Sequence, residues 1–342
     1  MNHRKLLIIA TCIFCLASCK KDETTPVLPS LEGVLDFTVP EYVNPKARVL
    51  MTPRGVIHPE GRGVGYYWKV ITTRPDLDTT RYENGLDKNG NPSDGTFDFT
   101  FSDTTKTYKI TCYAFAEGYT YTSATISSTV VKGGKNGSIT GLRPDDYVTI
   151  GNTDWMCRNV EDITAGVPYA NCKAMSDVFG RYYTYEEAMK ICPEGWELPT
   201  DADWTALAKA AGGDAENAHQ DIKGVAAALM GNAYFNDELM WQYWPVVGEI
   251  TNTTGISMIP TGYVMLNNKA ADPVEDEFME GTYPNAQFKG YKEYAAFWTA
   301  DKVDGEEGMA YYRYVICDQP DFLIGKTSTT SFGASVRCIR RK

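Results

Sequence analysis

Residues 180–208 read GRYYTYEEAMKICPEGWELPTDADWTALA, and the punctuation of this stretch decides the fold class of the second half of the chain. Thr184 stands three residues before Glu187, a capping box that opens a short helix running toward Cys192, and Pro193 and Gly195 stop it. Thr200 caps a second helix, in which Trp204, Leu207, Ala208 and Ala211 recur at i, i+3, i+4 and i+7 and which Gly212 and Gly213 end. A third helix is predicted from Ile222, Val225, Ala226 and Leu229, with Gly231 at its end. From Ile250 onward strands return, closing on Ser335-Val336-Arg337-Cys338-Ile339. Helices first and a sheet after make an α+β domain.

Upstream the texture differs. From Leu31 to Val131 short alternating runs are separated by turn residues: Leu35 to Val39, Val64 to Val70, and the face formed by Phe97, Phe99 and Phe101. This pattern predicts antiparallel β with one buried face, and Asp87 to Pro92 reads as a turn or loop tip. Some seven strands in about a hundred residues, Trp68 on a middle strand and Tyr108 shortly before Cys112 resemble an immunoglobulin-like β-sandwich with a corner tyrosine. The earlier strand, Arg48 to Met51, has no cysteine, so the inter-sheet disulfide of antibody domains is not expected. Domains of this kind on surface proteins usually serve as spacers. Residues 132–141, KGGKNGSITG, carry four glycines and read as the linker.

The chain opens with His3, Arg4 and Lys5, an apolar run from Leu6 to Leu16, and the small residues Ala17 and Ser18. Residues 1–18 thus read as a secretory leader, too short for a stable membrane-spanning helix. Leu16-Ala17-Ser18-Cys19 resembles the lipobox of bacterial lipoproteins, in which the cysteine thiol takes the diacylglycerol. The resemblance implies a mature chain anchored through Cys19, each buried methylene contributing about 0.8 kcal/mol; an ordinary leader with a chance cysteine is the alternative. Lys20-Lys21-Asp22-Glu23 resembles the surface-export signal of Bacteroidota lipoproteins, and a solvated charged tether is its plainer reading. Residues 19–30 then form the lipidated tether, and the expected place is the outer face of the outer membrane.

With 342 residues and 43% hydrophobic content the chain can fill two cores. Loss of Arg4 and Lys5 with the leader takes the net charge from −11 to −13, which makes nucleic acid a poor partner. The six cysteines beyond Cys19 are Cys112, Cys157, Cys172, Cys192, Cys317 and Cys338, and an oxidising compartment allows disulfides among them. None forms a CxxC pair, so no structural zinc site is expected.

The stretch from Gly180 to Ala208 resembles the signature of the Fibrobacter succinogenes major paralogous domain family. The other motifs follow in that family's order: IGNTDWMCRNV, GISMIPTGY, AAFWTAD and ASVRCI. The resemblance covers roughly residues 139 to 341, and the second domain is set at 142–342. The family is similar to the C-type lectin fold, where a first-helix cysteine pairs with one near the C-terminus; this implies a disulfide between Cys192 and Cys338. The fold class expected is therefore an all-β immunoglobulin-like sandwich (31–131) followed by an α+β C-type-lectin-like domain. Cys157, Cys172 and Cys317 are left over, as free thiols or with one bridged to Cys112.

Enzyme templates fail in turn. The mature chain keeps two histidines, His58 and His219, in different domains, so a catalytic triad or metal cluster lacks its base or ligands. The run from Pro320 to Thr327 misses the first glycine of a P-loop. The loop from Asp87 has Pro92 at the glycine position of an EF-hand, so the turn reading wins. No catalytic residue, metal or cofactor is expected. Two ligand-binding candidates stand out. Gln319-Pro320-Asp321 matches the tripeptide with which C-type lectins bind calcium and galactose-type sugars, although its partner motif has no counterpart in Ser331 to Ser335, one carboxylate and one amide are too few for calcium, and chance or a surface turn is the plainer reading. The rings of Trp241, Tyr243 and Trp244 suit a platform on which the C–H faces of sugars stack, or core filling, while Trp155, Trp196, Trp204 and Trp298 are assigned to the core. The function expected is a non-catalytic surface lipoprotein binding a polysaccharide through its C-terminal domain, with an adhesin or pilus component that binds a surface protein as the alternative.

Overall fold

The computed structural model describes residues 27–72, 94–135, 137–215, 217–242 and 248–342. The leader with Cys19, the turn from Asp87 to Pro92, and Tyr243 and Trp244 lie outside the described residues.

The N-terminal unit holds eight described strands: β1 (Glu32–Asp36), β2 (Tyr42–Val43), β3 (Arg48–Met51), β4 (Arg54–Ile57), β5 (Gly65–Thr72), β6 (Phe97–Thr100), β7 (Thr107–Phe115) and β8 (Thr122–Val130). They form a four-stranded sheet in the order β2-β8-β7-β5, with β1–β4 and β3–β6 as two antiparallel pairs. Alternation drives the burial: Tyr66, Trp68 and Val70 on β5 and Tyr108, Ile110, Cys112 and Ala114 on β7 all point inward. They meet Leu35, Val49, Met51, Phe97 and Phe99 from the paired strands in one apolar cluster. Trp68 sits edge-on to Phe37 at 4.8 Å and stacked on Phe97 at 5.5 Å. Its indole N–H donates to the Gly95 carbonyl at 2.8 Å, so the ring is buried without an orphaned donor.

The expected linker is pinned at two points: Val131, just before it, and Ile139, within it, are buried in the C-terminal unit, while Lys132, Gly134 and Lys135 are exposed. Between them the Lys132 N–H donates to Ser138 Oγ at 2.9 Å and the Ser138 N–H donates to the Lys132 carbonyl at 2.6 Å. The glycines allow the tight turn, while the flanking apolar residues hold it down. Tyr42 bridges the two units, its ring 5.9 Å from Tyr169 and 6.3 Å from Phe235.

The C-terminal unit begins with β9 (Ile139–Thr140), β10 (Tyr147–Ile150) and β11 (Thr153–Met156) and ends with β22 (Ile339–Arg341), which pairs with β11. Between them run β12 (Val167–Pro168), β13 (Arg181–Tyr182), β14 (Tyr234–Phe235), β15 (Glu238–Leu239), β16 (Tyr263–Met265) and β17 (Gln287–Lys289). The long strands β18 (Tyr294–Lys302), β19 (Met309–Ile316) and β20 (Leu323–Ser328) make the central antiparallel sheet, and β21 (Phe332–Gly333) pairs with β16. The helices are short: α1 (Ser176–Phe179), α2 (Tyr185–Ala188), α3 (Asp201–Ala210) and α4 (Ala226–Leu229).

The expected capping box of Thr184 with Glu187 forms, and Thr200, expected as a cap, forms a second one with Asp203. The first helix stops after one turn instead of reaching Cys192. The third is confined to α4, because Gly224 takes a left-handed φ of 70° and Ile222 instead bridges to Phe322. The central sheet is covered on both sides. Ala295, Phe297 and Val315 face α3, α4 and Trp204, while Ala296, Trp298 and Ala310 face Tyr183, Tyr185 and Phe332. This explains the unbroken apolar run from Ala295 to Trp298, since a strand with two buried faces need not alternate. Cys192 and Cys338 are joined in a disulfide across 146 residues of sequence. Cys112, Cys157 and Cys172 are buried thiols, and Cys317 is buried as well.

Candidate functional site

Tyr147 opens β10 and lies opposite Met156 on β11, while β11 in turn sets Asp154 opposite Arg340 on β22. The Asp154 carboxylate accepts from Arg340 Nη2 at 2.8 Å and from the Thr149 hydroxyl at 2.7 Å, and these bonds hold it below the usual carboxylate range. The fixed Arg340 guanidinium stacks 4.7 Å from the Trp196 ring and 5.2 Å from that of Tyr147. Trp196 follows the tight turn Pro193 to Gly195, where Gly195 has a φ of 79°, and its N–H donates to the Pro193 carbonyl. The Tyr147 and Trp196 rings meet edge to face, with centroids 6.1 Å apart.

These rings form one wall of a groove of about 410 Å³ whose floor includes Met156, Val160 and Ile191. Asp146, Glu161 and Asp162 stand along it, with Arg158 the one cationic lining residue. Burial, with Asp177 nearby, pushes the Glu161 carboxyl up, whereas the Thr164 hydroxyl and N–H hold Asp162 down. Asp146 pairs with Lys135 at 2.9 Å.

The floor is rigid because of a buried arginine. Arg337 lies beneath it and donates to Asn159 Oδ1 at 2.8 Å and to the carbonyls of Met156 (3.0 Å), Ile256 (2.7 Å) and Ser257 (3.1 Å). Asn159 Nδ2 donates onward to the Phe179 carbonyl at 2.8 Å. Burial pushes the Arg337 guanidinium down to about 9, still protonated at neutral pH. Carbonyl acceptors in this number replace the lost water, and the Phe297 ring lies 5.5 Å from the guanidinium.

The residues anticipated from sequence are not gathered here. Trp241 is 1% exposed and packs in the apolar cluster with Trp155, Trp204 and Phe297, so its ring is core and not a stacking surface. Tyr243 and Trp244 lie outside the described residues. Gln319 is exposed, but Asp321 is buried, accepting from Lys223 Nζ at 2.6 Å and from the Gly224 N–H at 3.0 Å. Both of its carboxylate oxygens hold the loop before α4, which gives the tripeptide a local structural job. Trp196, assigned to the core, is half-buried at the groove, and Tyr147 is 46% exposed. The position of Trp196 just after Pro193 and Gly195, off any helical face, was the signal available for it.

The rings, the carboxylates along the walls and the rigid floor suit a ligand with apolar C–H faces and hydroxyls at its edges. Around them stands a disulfide-closed, β-rich domain with short helices. Residues 148–340 match the Fibrobacter succinogenes major domain. The match spans more than half of the chain, which belongs to that family. Comparison with curated proteins and with solved structures finds no match.

Proposed function

We propose that the chain is a non-catalytic lipoprotein, anchored through Cys19 and displayed on the outer face of the outer membrane, that binds an extracellular glycan through its C-terminal domain. In this reading an immunoglobulin-like sandwich carries a C-type-lectin-like head. The sandwich reading is supported by the Ser102 N–H, which donates to the hydroxyl of Tyr108 at 3.2 Å, a bond of the corner-tyrosine kind. Among the described residues no helix is long and apolar enough to cross a membrane.

The observation that carries the binding reading is the Tyr147–Trp196 corner on the groove. A large ring left 46% exposed beside a second ring at 6.1 Å leaves apolar area in water that a sugar face would cover. With Asp146 paired to Lys135, Glu161 and Asp162 against Arg158 disfavour acidic glycans at this groove and favour neutral or amino sugars. The test is a glycan array probed with the full chain and with Tyr147→Ala, with and without calcium. Binding lost on substitution and indifferent to calcium supports the groove. A calcium requirement counts against the groove, and an empty array returns the function to the adhesin reading.

A further inference from the structure

The outward face of the β2-β8-β7-β5 sheet takes no part in the groove. Its pattern follows from the register: Gly65 opposes Phe115, Tyr67 opposes Tyr113, Lys69 opposes Thr111, and Ile71 opposes Lys109. On the next strand Ser123, Thr125, Ser127 and Thr129 continue these rows. All of these side chains lie on the side away from the core, by the alternation that buries Trp68 and Ile110.

Three features set this face apart. One end is aromatic: Tyr113 stacks on Tyr67 at 4.4 Å with rings 5° from parallel, Tyr121 lies 5.9 Å from Tyr113 and is 67% exposed, and Phe115 is 39% exposed. The Phe115 ring rests over Gly65, where a Cβ would come within 2.6 Å of it, so glycine is what lets the ring lie flat on the strand. The middle is a hydroxyl ladder, with Thr111–Thr125 at 2.9 Å and Thr107–Thr129 at 3.0 Å. Finally, the charged residues among these outward positions are Lys69 and Lys109, with no Asp or Glu, in a chain whose 44 acidic residues outnumber its 33 Lys and Arg.

The core of a protein-docking patch is depleted in lysine and serine, and this face carries Lys69, Lys109, Ser123 and Ser127. Rings for C–H faces, hydroxyls for hydroxyls and lysines for carboxylates or sulfates match one ligand chemistry. From Thr107 to Tyr113 the face extends about 20 Å at the usual strand rise, room for several linked sugar rings. We infer that the outer face of the N-terminal sheet, through Tyr113, Phe115, Tyr121, Lys69 and Lys109, binds an acidic polysaccharide. This gives the unit a ligand of its own in place of a purely spacing role, and one opposite in charge to the ligand of the groove.

The test is affinity electrophoresis of the full chain through gels containing alginate, dextran sulfate or neutral dextran, at low and high salt. The exposed variants Tyr121→Ala and Lys109→Glu are run beside Lys109→Arg and the groove variant Tyr147→Ala. Retardation by an acidic polymer is expected, weakened by salt, weakened about tenfold by Tyr121→Ala and by Lys109→Glu, and kept in Lys109→Arg and Tyr147→Ala. Equal retardation by neutral dextran, loss with Lys109→Glu but not with Tyr121→Ala, or no retardation by either acidic polymer would each overturn the inference. Unchanged thermal midpoints in the variants separate loss of the site from loss of the fold.

Discussion

Arg313 and Asp201 meet in the core as a two-point ion pair, Nε 2.5 Å from Oδ1 and Nη2 3.0 Å from Oδ2, with neither side chain more than 1% exposed. The pair ties the first residue of α3 to the central strand β19. The Arg313 guanidinium also donates to the Gln220 carbonyl at 2.7 Å, and Asp201 accepts the His219 N–H at 2.6 Å. Removing one partner strands the other charge in an apolar core. Arg313→Met and Asp201→Asn should therefore each cost about 3–5 kcal/mol, read from urea denaturation. A cost under about 1 kcal/mol would show that the pair is not what fixes α3 on the sheet.

Acid should loosen the same domain at its closing strand. Asp154 is held down by Thr149 and Arg340. Burial pushes Asp203 up, but bonds from Thr200 and Arg341 outweigh it, so both carboxyls sit below the ordinary 3.8. A carboxyl lowered on folding contributes stability that is present above its unfolded value and lost as pH falls through its folded one. The thermal midpoint should drop as pH falls below about 4, and Asp154→Asn should flatten that part of the profile. An unchanged slope would mean that these carboxylates are not the groups responsible.

Thiol chemistry gives a third check. Burial raises Cys112 to about 12 and Cys172 to about 11, and it also raises Cys157. The folded chain at pH about 8 should therefore react with a disulfide reagent at none of these three until denatured. Cys192 and Cys338 should appear as one linked peptide without reductant. Opening that 146-residue loop should lower stability by about 4–5 kcal/mol on the chain-entropy account.

Tyr42 reaches across the joint between the units from β2 to Tyr169 and Phe235, beside Val131, buried in the same cluster, and Phe278, which packs against the N-terminal core. Tyr42→Ala should convert a single calorimetric transition into two, each unit unfolding by itself. One unshifted transition would show that the other contacts, Val131 and Phe278 among them, are enough to couple them.

What the sequence shows of all this depends on the range of the interaction. The Thr184–Glu187 capping box, the Thr200 cap and the alternation of β5 are local, and all are legible in the string. The Cys192–Cys338 bond came from a family resemblance, not from spacing. Long-range packing is harder to read. Nothing around Trp241 distinguishes a core ring from a surface one until α3, α4 and β18 close around it. Trp196 looked like core because it stands among apolar motifs, yet the turn at Gly195 sets it beside Tyr147, some fifty residues earlier in the chain. Gly224 falls inside the span of the third predicted helix, and its left-handed backbone is why that helix is one turn long.

In the proposed function the Tyr147–Trp196 groove is the glycan-binding site of the C-terminal domain. The most direct measurement is titration calorimetry of the unaltered chain and of Tyr147→Ala against a neutral oligosaccharide recovered from the array. We predict measurable binding by the unaltered chain and an affinity weaker by about tenfold in the variant, with the thermal midpoint unchanged. Equal affinity in the two proteins would contradict the assignment of the site.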